Sequence, residues 1–153
     1  MTSAATARPS LRSGSGASII VDAGPLIALF DRDDRHHFRA IEFVRNCQTR
    51  LLTNLPALTE AAFVLRFSIE AQRDLLWWVR EALDIDRNTP DDLPRIIALM
   101  QKYRDLPSDF ADASLVALAE RLNVRRIASV DRDFLIYRLP GRRRFENVFL
   151  RKN

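Results

Sequence analysis

Four carboxylates stand where charge is otherwise missing. From Ser13 to Phe30, eighteen residues, Asp22 is the only charged group. Over the fifteen residues from Leu51 to Leu65 the only one is Glu60, and over the ten from Phe110 to Ala119 it is Asp112. Asp131 directly follows the apolar run Ile127-Ala128-Ser129-Val130. An isolated carboxylate in such a setting either takes up a proton or finds a cation. Two economical solutions exist: a separate Arg or Lys for each acid, or one shared metal ion. Acids gathered without Lys or His form a hard oxygen site suited to Mg²⁺ or Mn²⁺, with waters completing an octahedron. Each acid also has an ordinary explanation: a turn residue for Asp22 and Asp131, a helix-dipole partner for Asp112, a salt bridge for Glu60.

The elements that must position these acids alternate between strand and helix. Ala17–Val21 is a β-branched run ending at Asp22, broken by Gly24-Pro25, with a short helix over Leu26–Phe30. Helical spacing marks His37–Gln48. Leu51–Thr53 is a second strand, and Asn54 with Pro56 opens a helix running to about Phe67. Glu70–Leu83 is helical with Leu75, Leu76 and Val79 inward, and Leu83–Asp86 is a third strand. Thr89-Pro90-Asp91-Asp92 starts another helix, and Ser108 caps one running to about Leu122. Arg126–Val130 is a fourth strand and Asn147–Leu150 a fifth.

This alternation predicts an α/β fold, a three-layer α/β/α sandwich around a mostly parallel sheet of four or five strands. In such a sheet ligands bind at the carboxyl edge. Asp22 and Asp131 fall there, and Asp112 reaches it from the first turn of its helix. Glu60, with Ala57, Phe63 and Val64 as helical neighbours, is expected beside the core-facing stripe, as is Asp112 with Leu115, Val116 and Ala119.

Composition narrows the classes. The 153 residues suit one domain, over 17–153, and 47% are hydrophobic, enough for one core. Residues 1–16 read as a disordered leader without a secretory signal. No apolar run approaches the ~20 residues that span a bilayer. Cys47 is the only cysteine, which excludes an intrachain disulfide or a thiolate metal site and fits a reducing cytoplasm. His36 and His37 are adjacent and make a poor ligand pair. Charge is uneven: residues 121–153 carry ten basic against three acidic groups, whereas residues 31–120 carry twelve against sixteen. Of the 24 basic residues 22 are Arg, whose fork suits phosphate or carboxylate. The Arg142-Arg143-Arg144 run is therefore a candidate RNA contact, or simply a solvated face. A receiver domain would need a Lys at the end of a late strand, and an Asp-nucleophile phosphatase would need an Asp where Gly24 stands; neither is present.

The stretches 19–37, 58–65, 105–122 and 127–134 together resemble the PIN domain, and within it the VapC-type toxins of toxin–antitoxin pairs. The resemblance covers roughly residues 17–150. It implies a Mg²⁺- or Mn²⁺-dependent endoribonuclease that leaves a 5′-phosphate and a 3′-hydroxyl. It implies that Asp22, Asp112 and Asp131 are metal ligands, with Asp133 a further one, that Glu60 is the helix-borne acid of the site, and that Ser129 is the small hydroxyl residue beside it. Asp109 shares a face with Asp112 and is a secondary candidate. A VapB-like antitoxin, an RNA substrate and a homodimer are the implied partners, and adjacent Trp77 and Trp78 cannot both face one core, so one could line such a surface. A non-catalytic PIN-like module binding RNA or protein is the alternative.

Overall fold

A computed structural model describes residues 18–151. The leader lies outside them. Strand β1 (Ile19–Val21) leads into helix α1 (Ala23–Phe30), followed by α2 (His37–Asn46), β2 (Leu51–Asn54), α3 (Leu55–Val64), α4 (Ile69–Ala82) and β3 (Asp84–Asp86). Then come α5 (Thr89–Lys102), α6 (Phe110–Leu122), β4 (Arg126–Ala128), a two-stranded ribbon of β5 (Arg138–Leu139) and β6 (Arg143–Arg144), and β7 (Glu146–Asn147). The main sheet has five strands in the order β3-β2-β1-β4-β7, every pair parallel. The expected sandwich is therefore what forms.

The register explains the layers. Successive strand residues point to opposite faces. Ile19, Val21, Leu51 and Ala128 enter one core with Leu26, Ala40, Leu58, Leu75 and Trp78. Ile20, Leu52 and Ile127 enter the other with Ile96, Leu99, Leu115, Leu118, Phe134 and Tyr137. Helices α1, α2 and α4 thus cover one face and α5 and α6 the other. The chain steps outward from β1 through β2 to β3, then α5 and α6 carry it back to β4 on the far side of β1. The strand order reverses between β1 and β4, which opens a crevice at their carboxyl ends.

Several local expectations shift. Helix α1 begins at Ala23, not Leu26, because Asp22 caps it and Pro25 fits a first turn that needs no N–H from it. The cap of α6 is Asp109 rather than Ser108. The strand expected over 147–150 is Glu146–Asn147, and the ribbon has no counterpart in the expectations. Leu76 lies outward, 48% exposed, whereas Leu75 and Val79 are buried. Of the Trp pair, Trp78 packs inside and Trp77 is exposed.

Candidate metal centre

Asp22 ends β1 at the crevice and is 4% exposed. Its Oδ1 accepts from the Ala23 amide at 2.7 Å, and its Oδ2 accepts from the Ser129 hydroxyl at 2.8 Å. Burial pushes its carboxyl up to about 6, against the lowering pull of those two bonds and with a further push from Asp131 and Asp109. Ser129, fully buried after β4, also accepts from the Asp131 amide at 2.9 Å. One hydroxyl therefore ties the ends of β1 and β4 together.

Asp112 lies in the first turn of α6, where Leu115, Val116 and Ala119 are buried as expected. It forms a reciprocal cap with Asp109: the Asp112 amide donates to Asp109 Oδ1 at 2.9 Å, and the Asp109 amide to Asp112 Oδ2 at 3.4 Å. Burial first, then the charges of Asp22 and Asp109, raise the Asp112 carboxyl to about 8. Glu60, on α3, is raised to about 7 by burial and by the charges of Asp109, Asp22 and Asp131. Its Oε2 is enclosed and has no hydrogen-bond partner. Its neighbours Phe63 and Val64 are 61% and 42% exposed, so the expectation that they share a core stripe is corrected. They point outward because α3 buries only Ala57, Leu58 and Ala61. Asp131 caps a single 3₁₀ turn, Arg132–Leu135, accepting from the Asp133 amide at 2.8 Å. The turn-residue explanation for Asp131 thus holds beside the other. Asp133 sits in that turn, its carboxyl raised by partial burial and by Asp131.

The carboxylates of Asp22, Glu60, Asp112, Asp131 and Asp109 thus share one electrostatic neighbourhood. Among the described residues none of them, nor Asp133, forms an ion pair; the six salt bridges seen lie elsewhere. The solution of one guanidinium per acid is not the one taken within residues 18–151. Nor is a closed cage formed: among the described residues no group of three or more His, Cys, Asp or Glu stands in ligating arrangement. The acids share an edge and a field without standing as a ligand set. The chemistry of the donor set fits a hard divalent cation, and so does the orphaned Glu60 Oε2.

Three polar residues supporting this edge escaped the sequence reading in that role. Asn54, 1% exposed, caps α3 through Oδ1 and donates from Nδ2 to the Ser114 hydroxyl at 2.9 Å. Ser114 in turn donates to the Ala111 carbonyl at 2.6 Å, so α3 and α6 are locked together between Glu60 and Asp112. Asn147 donates to the Ser129 carbonyl at 2.9 Å. For Asn54 and Ser114 a polar residue in an apolar stretch was the available signal; Asn147, beside Glu146, gave none. Gly24 is required by close approach, since a Cβ there would overlap the Val130 side chain.

The Arg142–Arg144 run is not at this edge. Arg143 donates to Asn123, the C-cap of α6, at 2.7 Å. The thirteen-residue helix separates it from the acids by about 20 Å. As for the histidines, His37 contacts the Ala28 carbonyl at 2.7 Å and opens α2.

Residues 19–139 match the PIN domain, and the chain belongs to that family. Eight chains of solved structures match it. One is VapC20 of Mycobacterium tuberculosis, a toxin that cleaves the sarcin–ricin loop. It shares 17% identity, with a TM-score of 0.67 over 75% of this chain and 91% of that one. That likeness is one of fold. No curated protein matches. Among the described residues no helix is long and apolar enough to cross a membrane.

Proposed function

We propose that this protein is a divalent-metal-dependent endoribonuclease and the toxin of a cytoplasmic toxin–antitoxin pair. One observation carries this reading: Asp22, Glu60, Asp112 and Asp131 lie near enough for their charges to act on one another's carboxyls, beside the point where the sheet order reverses, and none is ion-paired among the described residues. Membership of the PIN family and a fold shared with a toxin that cleaves RNA support the substrate class.

Asp22 and Asp112 would hold the ion, with Asp131 and Asp133 as further ligands, and Mg²⁺ or Mn²⁺ would be the cation. Bound there, it supplies Lewis acidity, lowering the pKa of water and neutralising charge that develops on the phosphate. Ser129 orients Asp22 through the 2.8 Å bond. Asp109 fixes Asp112 through the reciprocal cap. Glu60, with its free Oε2, orients the attacking water and takes its proton. In-line hydrolysis leaves a 5′-phosphate and a 3′-hydroxyl. A VapB-like antitoxin and a homodimer accompany this role, with exposed Trp77 available to such a surface.

Asp22→Asn tests the assignment. The variant keeps the fold and loses Mg²⁺-dependent cleavage of RNA by at least a hundredfold. Undiminished cutting by a folded variant would rule out the metal centre.

A further inference from the structure

The carboxylate edge poses a problem for any enzyme of a polyanion. At the crevice acids predominate, with exposed Arg132 between Asp131 and Asp133 as the basic residue of that turn, and one bound divalent ion leaves little excess positive charge there to attract a phosphate backbone. Most of the affinity must come from elsewhere. The opposite edge of the sheet supplies it. Arg125, Arg142, Arg143 and Arg144 are all exposed there, and among the described residues none is paired with an acid. Glu146, the nearest acid in sequence, is taken by Arg151 at 2.7 Å.

This cluster is built rather than loose. The β5–β6 ribbon is seated by buried Leu139 and Phe145. Arg138 pins its base, donating to the carbonyls of Leu135, Ile136 and Tyr137 at 2.6 to 3.0 Å. Arg143 holds the ribbon to α6 through Asn123 and bonds the Pro140 carbonyl at 3.0 Å. Arg125 reaches the Arg144 carbonyl at 3.4 Å through Nε, which leaves its terminal nitrogens free. Arg142 sits at the tip with φ of 58°, next to Gly141 at 74°. A bulky residue rarely occupies that left-handed conformation, and such strain clusters at functional positions.

We propose that the ribbon, with Arg125, Arg142 and Arg144 as its contacts, is a phosphate-binding exosite for single-stranded RNA, about 20 Å from the carboxylates along α6. It rests on the ribonuclease reading and adds where the substrate is held. RNA is favoured over an acidic protein because planar guanidinium forks on a rigid support match phosphate, and because acids predominate at the other edge. The consequence is a length dependence. An RNA of about thirty nucleotides reaches both edges, whereas one of about two is too short to bridge them and engages a single edge.

The test is anisotropy titration of fluorescein-labelled oligouridylates of both lengths, in EDTA, in the Asp22→Asn background so that no cleavage intervenes. The triple variant Arg125→Gln, Arg142→Gln, Arg144→Gln, which spares the ribbon's anchor Arg143, is compared with its parent. We expect roughly tenfold weaker binding of the long RNA at 0.1 M salt, and a salt slope shallower by about 2, at about 0.7 per phosphate contact. The triple Lys variant should recover most of the affinity. Equal binding of long RNA by parent and Gln variant overturns the exosite while wild-type cleavage of RNA still upholds the nuclease. Loss of binding to polyglutamate in place of RNA also overturns it, assigning the ribbon to an acidic protein. If the wild type neither cuts nor binds RNA, the parent reading falls with it.

Discussion

Replacing Asp22 by Asn should stabilise the metal-free protein at neutral pH, although it removes the central side chain of the candidate site. The magnitude follows from burial. The carboxyl is 4% exposed and is lifted from 3.8 to about 6, chiefly by desolvation. A shift of that size corresponds to about 3 kcal/mol of native-state cost once the group is ionised, at 1.36 kcal/mol per pH unit. Asn retains an acceptor for the Ala23 amide, but its Nδ2 faces the Ser129 hydroxyl, which must turn from donor to acceptor. That rearrangement costs about 1 kcal/mol. The net gain is about 2 kcal/mol, or roughly 4–8 °C in Tm for a chain of this size.

The sign with pH is fixed. Because the folded pKa lies above the unfolded one, the native state binds more protons between them. This group's favourable contribution is complete below pH 3.8 and is lost as pH rises through 6. The advantage of the Asn variant therefore opens between about pH 4 and 6 and widens further toward pH 8, as Glu60 and Asp112, whose carboxyls the Asp22 charge helps to raise, ionise beside it. Thermal and urea melts in EDTA at pH 4, 5, 6 and 8 read the difference. Millimolar Mg²⁺ or Mn²⁺ should then raise the wild-type Tm and close the gap, through binding to the native state. A variant less stable than wild type at pH 8 in EDTA, or a gap indifferent to pH, would refute the claim that Asp22 is an uncompensated buried charge.

Two further substitutions probe the frame around the site. Gly24→Ala drives a Cβ into Val130, next to Ser129 and Asp131, and should lower stability by about 1–3 kcal/mol; Val130→Ala in the same chain should restore most of it, measured as a double-mutant cycle in urea. Arg121→Met should cost about 2 kcal/mol, because Arg121 bonds Asp86 at 2.7 Å and Asp92 at 2.9 Å and its loss strands Asp92, only 9% exposed, without a cation. Adding Asp92→Asn should return part of that loss, and additive losses in the double variant would dismiss the pair as a clamp between α5 and α6.

What was legible in the sequence is what local chemistry encodes. The helix start at Asn54-Leu55-Pro56 could be read because the cap and the early proline act within a few residues. The acids could be read because a charge in an apolar run must be accounted for wherever the run ends up. Phe63 and Val64 misled because helical spacing gives the angle of a side chain, not what faces it, and their side of α3 is open. The ribbon was missed for a related reason: its strands are two residues each, and they are held by Arg138, Arg143 and buried aromatics, not by a periodic pattern.

The polar frame of the site belongs to the same class of hidden information. Asn54, Ser114 and Asn147 each look like residues of turns or helix surfaces until the sheet brings their partners close. The burial of Asn54 and Ser114 follows from the acids. A crevice that keeps several carboxylates dry and near one another needs neutral donors to hold its backbone in place, since a cation at those positions would pair with the acids and compete with a metal ion. Ser129 shows this most directly. Its hydroxyl spans Asp22 and the Asp131 amide without carrying charge, so it aligns two acids while leaving their field intact. A Lys or Arg in its place would quench the repulsion that makes the edge receptive to a divalent ion.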